Sequence, residues 1–163
     1  EQYDMAFIIG GLHHCVVDLE QTLSNVAALL NPGGRFVMLE PNAQFFLESI
    51  REIWYKIDKS FDADTEHALN HNALLGSVGE HFNLDEVSYF GGPGYFGILN
   101  SMILRIPPSA KPLISPPLLA AERIWNKIPN RRFHNVFLGR WIRTNSESPL
   151  VEISDCGSKS SIL

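Results

Sequence analysis

The sequence predicts an open α/β sheet, and three observations carry that expectation. A short continuous apolar run, residues 5–9, ends in Gly10-Gly11-Leu12-His13-His14. A stretch with apolar residues at helical spacing follows and closes on Asn31-Pro32-Gly33-Gly34. A second apolar run, residues 36–39, ends in Glu40-Pro41-Asn42. A strand, a helix and a strand joined this closely form a crossover, so the two strands should run parallel. Continuous apolar runs suit strands buried on both faces. Polar groups gathered where parallel strands end lie where such a sheet places its ligand.

The elements follow in order. Asp18 is expected to cap the first helix with Gln21 as its capping-box partner, and Leu19, Leu23, Val26, Ala27 and Leu30 form its apolar face. The Asn-Pro-Gly-Gly stretch stops the helix and turns the chain. Residues 43–57 read as a helix with Phe46, Ile50, Ile53, Trp54 and Ile57 on one side. A polar loop at 58–64 and a helix over 66–79 come next. Residues 84–90 read as a third strand, closed by Gly91-Gly92-Pro93-Gly94. An apolar helix-like run over 96–106 is followed by Pro107, Pro108, Pro112, Pro116 and Pro117, which read as a linker. A helix over 118–128 and a last strand over 133–142 complete the pattern. The Ser-rich stretch from Thr144 reads as a disordered tail.

With 163 residues, 45% of them hydrophobic and 19% charged, the chain fits one soluble globular domain. No apolar run approaches the roughly 20 residues that span a bilayer. The two cysteines, Cys15 and Cys156, carry no metal signature and point to a reducing compartment. The net charge of −5 conceals an asymmetry. Residues 1–104 carry four basic and fourteen acidic side chains, whereas residues 105–143 carry eight basic ones against Glu122 alone. A segment so lopsided suggests an anionic substrate or surface.

The ordered set of residues 3–42, in which a strand opening Tyr3-Asp4 ends Leu12-His13-His14, a helix ends Leu29-Leu30-Asn31-Pro32-Gly33-Gly34, and a strand Phe36-Val37-Met38-Leu39 ends Glu40-Pro41, resembles the C-terminal half of class I S-adenosylmethionine-dependent methyltransferases. The resemblance implies an α/β fold: a partial doubly wound, Rossmann-like methyltransferase sheet made of family strands 4, 5, 7 and 6. The seventh strand is antiparallel, helices lie on the faces, and a helical insertion separates strands 6 and 7. Strand 6 is assigned to 84–90 and strand 7 to 134–142. Residues 1–143 are then the C-terminal part of one methyltransferase domain, with 91–133 as a lid over the active site and 144–163 as the tail.

The family's glycine-rich loop and the acidic residue of its second strand have no counterpart here. The expectation is a truncated chain whose natural N-terminus lies before Glu1, inactive alone. The implied function is methyl transfer from S-adenosyl-L-methionine to an oxygen, nitrogen or carbon of a small or lipid-linked acceptor. The alternative is a degenerate methyltransferase-like binding or scaffold module. Cofactor-binding residues implied by the resemblance are Ile9, Gly10, Gly11 and Leu12.

The residues themselves leave readings open. His13 and His14 stand where a general base would be needed if the acceptor must lose a proton, since imidazole titrates near neutrality. The alternative reading packs one beneath the cofactor and has the other cap the following loop, because positioning alone can catalyse methyl transfer. Glu40, Pro41 and Asn42 are expected to contact the substrate, although Asn42 could equally cap the next helix. His67 and His71 are spaced for a metal on a helix, yet Ala68 replaces the Glu of the zincin motif, so a solvated helix surface is preferred and no metal is expected. The basic and aromatic stretch 94–143 suits peripheral contact with an anionic membrane or a lipid-linked acceptor. An amphipathic lid packed on the domain is the plainer reading. No nucleic acid is expected as a partner. The location expected is cytoplasmic, with peripheral membrane contact.

Overall fold

The computed structural model describes residues 1–57, 67–99 and 106–144. The expected loop at 58–64, residues 100–105 of the helix-like run and the tail beyond Thr144 lie outside the described residues, as do the side chains of Trp54 and Ile57; the helix expected from 66 begins only at His71, where Asn70 caps it, and residues 67–70 are not helical.

Four strands form one sheet in the order β1-β2-β4-β3. They are β1 (Tyr3–Ile9), β2 (Leu30–Pro41), β3 (Phe82–Phe90) and β4 (Val136–Arg143). β1 and β2 are parallel, and β4 runs antiparallel to both β2 and β3. This α/β arrangement has the order and directions of a class I methyltransferase sheet from its fourth strand onward. The chain's last strand therefore occupies an interior position between β2 and β3.

The crossover from β1 to β2 is α1 (Leu19–Leu29). Its helical apolar spacing puts Leu23 and Ala27 in the core, with Leu19 and Val26 packed against it. Asp18 makes no side-chain cap hydrogen bond, contrary to the expected capping box. Gln21 instead donates to Asn25 Oδ1 one turn on, at 3.0 Å. The Asn-Pro-Gly-Gly turn lies inside β2. Leu30 pairs with Tyr3 and Arg35 with Met5, so residues 31–34 bulge out of the register. The bulge needs glycines: Gly33 has φ +77°, and a Cβ on Gly34 would lie 2.7 Å from the Asn31 carbonyl oxygen. Asn31 Nδ2 ties it to β1 through Asp4 Oδ1 at 2.7 Å.

The core lies on one face of the sheet. Phe36, Phe82 and Trp141 pack as three rings with centroids 5.6–6.1 Å apart. α1 and α3 (His71–Ser77) cover them with Leu23, Ala27, Leu74 and the neighbouring Val78. The expectation that β1 is buried on both faces does not hold. Its residues are exposed or only partly buried, with Phe7 73% and Ile9 70% exposed. β1 has β2 on one side only, and no described element lies across its other face.

α2 (Glu48–Ile57) begins later than the spacing predicts, and its Ile50 and Ile53 face outward. The proline linker is also corrected, because α4 (Lys111–Trp125) runs through Pro112, Pro116 and Pro117. Pro112 sits in the first turn, where no N–H is required. Pro116 and Pro117 remove the helical donors to the carbonyls of Pro112 and Leu113, which belong to exposed residues and can be hydrated. Ser115 Oγ donates to Lys111 O at 2.6 Å within the same turn. The last strand begins at Val136, because Arg131–Phe133 form a 3₁₀ turn.

Among the described residues, no helix is long and apolar enough to cross a membrane.

Candidate functional site

The site is built at the carboxyl ends of β1 and β2. Gly10 extends the ladder by donating to Leu39 O at 2.8 Å and, at φ +58°, turns the chain out of the sheet. The 3₁₀ turn Leu12–His14 follows immediately. Such a turn leaves its first N–H groups without partners, and the sequence supplies the partner 27–29 residues later. Glu40, 1% exposed, points its carboxylate under the turn. Oε1 accepts from the N–H groups of Gly11 at 3.0 Å and Leu12 at 2.8 Å. Oε2 lies 2.7 Å from His13 Nδ1 and 3.4 Å from the His13 amide nitrogen. A buried carboxylate is tolerable when this many donors converge on it.

The pairing fixes the imidazole. A carboxylate only accepts, so Nδ1 of His13 carries the proton it donates, and neutral His13 has its lone pair on Nε2. His14 is exposed and stacks on His13 with ring centroids 4.1 Å apart. Of the four residues expected at the cofactor, Ile9 and Gly10 are exposed and Gly11 is partly so. Leu12 is fully buried and offers the site only its backbone.

Glu40 and Asn42, expected to touch substrate, have their side chains turned inward. Asn42 Nδ2 donates to the carbonyls of His134 at 2.8 Å and Arg131 at 3.0 Å, while Oδ1 accepts from Gln44 N at 3.0 Å. Its Nδ2 thus holds the turn before β4 against the end of β2, while its Oδ1 fixes the turn of the chain after β2. Pro41, between them, is partly exposed. Glu40-Pro41-Asn42 therefore fastens His13 on one side and His134 on the other.

Sequence reading missed His134. It is 3% exposed, its Nε2 donates to Ile128 O at 2.8 Å, and its Nδ1 is buried with no partner among the described residues. Only its place just before a strand could have drawn attention to it. His71, weighed as a metal ligand, is a core residue: it is 2% exposed and Nε2 accepts from Trp141 Nε1 at 3.0 Å. Burial lowers its pKa, Asn72 partly opposes this, and the charge of Arg131 lowers it further. His67 is exposed, and no group of three metal-ligating side chains occurs among the described residues.

The segment after β3 is pinned over the same strand ends. Glu122 of α4 accepts from the N–H groups of Gly92 at 3.0 Å and Gly94 at 2.9 Å, at the start of the π-helical turn Tyr95–Leu99. Trp125 lies on Gly92, where a Cβ would come within 2.5 Å of the indole. Rings then run continuously from Trp125 through Phe133, Phe46 and Phe45 to Phe96 and Tyr95, with centroid separations of 5.0–6.2 Å. This aromatic band, partly open at Phe46 and Phe133, joins the segments after β2, after β3 and before β4.

No family model and no curated protein matches the chain. Solved structures of similar shape include the N-methyltransferase NodS from Bradyrhizobium japonicum WM9 in complex with S-adenosyl-L-homocysteine, at TM-score 0.46 and 11% identity over 90% of this chain and 48% of that one. MccD protein is similar at TM-score 0.42 and 14% identity, over 85% of this chain and 60% of that one. A cyclopropane-fatty-acyl-phospholipid synthase-like protein from Lactobacillus casei ATCC 334 is similar at TM-score 0.43 and 15% identity, over 87% of this chain and 56% of that one. The chain thus spans between 48% and 60% of the length of these three proteins.

Proposed function

We propose that this chain forms the acceptor side, and one wall of the cofactor pocket, of an S-adenosylmethionine-dependent methyltransferase acting on a small or lipid-linked acceptor. The observation that carries the reading is the buried Glu40–His13 pair at the end of β1, set in a sheet of order β1-β2-β4-β3. The cofactor, when bound, supplies an electrophilic methyl group on a sulfonium. Ile9, Gly10 and the backbone of Gly11 and Leu12 would border it, and the fit is supported by Gly10, where a Cβ would meet nothing closer than His13 Cε1 at 4.0 Å.

The chain's own groups have distinct tasks. Glu40 and the 3₁₀ turn hold the His13 ring, so that Nε2 can accept the acceptor's proton as its oxygen or nitrogen forms the new bond to carbon. His14, stacked on His13, limits the ring's motion and is the second candidate base. Pro41 and the aromatic band form an apolar wall that excludes water from the transfer. Glu40 and Asn42 are positioning residues.

Calorimetry with S-adenosylhomocysteine on the full gene product containing these residues tests the reading. Binding heat is expected, and its absence would remove the catalytic proposal. His13→Gln should lower kcat with little change in cofactor affinity; unchanged turnover would reassign His13 to structure. A second reading, a binding or scaffold module without activity, is favoured by the exposed apolar residues of β1. It predicts self-association through that strand, measurable by light scattering.

A further inference from the structure

The outer face of α4 is apolar and free of acid along its whole length. A 15-residue helix extends about 22 Å. At 100° per residue Leu113, Pro117, Ala120 and Ile124 fall on one stripe, and all four are exposed. Leu113 is 81% and Ile124 71% exposed. Arg123 flanks the stripe and Lys127 follows it just past the helix end, both exposed. The only acidic residue between 106 and 144 is Glu122, and its carboxylate is turned inward onto the amides of Gly92 and Gly94. Lys111 is likewise turned inward, donating to Ile98 O.

A scattered exposed leucine is ordinary on a protein surface. A continuous apolar stripe flanked by cations with no anion among them is a different surface. A solvated helix face would carry mixed charges, and a protein partner would not select against carboxylates alone. The arrangement matches a helix lying in the interface of an anionic bilayer, with its stripe in the acyl boundary and its cations on headgroups. Charge distribution reinforces this, because residues 1–104 carry fourteen acidic side chains against four basic ones. An anionic surface repels that part of the molecule and attracts the part that includes α4 and the Arg131–Phe133 turn.

We propose that the outer face of α4 docks on an anionic phospholipid bilayer, Leu113, Pro117, Ala120 and Ile124 entering the acyl boundary and Arg123 and Lys127 meeting headgroup phosphates. This docking rests on the surface of α4 alone and does not depend on the methyl-transfer reading.

Vesicle sedimentation tests it, with phosphatidylcholine vesicles made with and without phosphatidylglycerol. Binding should require phosphatidylglycerol and weaken as salt rises. Ile124→Glu and Leu113→Glu should each reduce it about tenfold or more. Arg123→Glu should reduce it by roughly fivefold or more and flatten the salt dependence. These positions are exposed, so circular dichroism should show the fold unchanged. Phe7→Glu, on the far strand, should leave binding intact. The proposal is overturned if the folded protein ignores phosphatidylglycerol vesicles, if Phe7→Glu abolishes binding while Ile124→Glu spares it, or if Ile124→Glu only dissolves a dimer that binds no vesicle.

Discussion

The two faces of the sheet are built from the same strands yet have opposite fates. On one, Phe36, Met38, Phe137 and Trp141 are 0–2% exposed beneath α1 and α3. On the other, the row Ile9–Leu39–Leu138 and the row Phe7–Val37–Arg140 run side by side, with Phe7 and Ile9 mostly exposed. Apolar side chains gain about 25 cal/mol per Å² only when something covers them. The difference teaches that an apolar run states a requirement for cover and does not itself say what supplies it.

Breaking the covered face should have the largest effect. Trp141→Ala removes the ring that joins Phe36, Phe82 and His71 and should cost about 3–5 kcal/mol in urea unfolding. Next comes the polar group on that face. Glu40→Gln leaves an amide hydrogen facing donors of the 11–13 turn and should cost about 1–3 kcal/mol in urea unfolding. A stability equal to wild type would mean that the turn holds itself.

A smaller, pH-dependent effect comes from His71. Its folded pKa is depressed, so the unfolded chain takes up a proton that the folded one refuses. Stability from this group is complete above the unfolded value of about 6.5 and is lost as pH falls below it toward the folded pKa. His71→Gln, which can still accept from the Trp141 indole, should flatten the slope of unfolding midpoint against pH in that window. The least effect is expected on the open face: Phe7→Ser should change stability by no more than about 0.5 kcal/mol. A loss of several kcal/mol there would show that Phe7 is covered in solution.

Much of this organisation was legible from residues 3–42, because the crossover is local: strand, helix and strand are contiguous, and helical spacing correctly put Leu23 and Ala27 inside. Other parts depend on remote neighbours. Glu40 reads as a strand-end carboxylate, and nothing local reveals that its donors are Gly11, Leu12 and His13. Asn42 is committed to carbonyls 89 and 92 residues away. The prolines of α4 read as breakers because propensity cannot register that their unsatisfied carbonyls face water. The bare side of β1 was invisible for the opposite reason, since an uncovered apolar strand and a buried one are spelled alike.

The interior position of β4 also dictates when the molecule can form during synthesis. Arg35 pairs with Ile142, and Arg143 donates to the Leu30 carbonyl, so β4, made about a hundred residues after β2, closes contacts with it. β3 is joined to the rest of the sheet only through β4. Until residue 143 clears the ribosome, the edge of β2 that takes β4 stays unpaired, and β3 has nothing to join. Such late closure of distant pairings is slow and leaves apolar strand edges open in the meantime. Nascent chains stalled before β4 should therefore be the ones that bind chaperones most strongly.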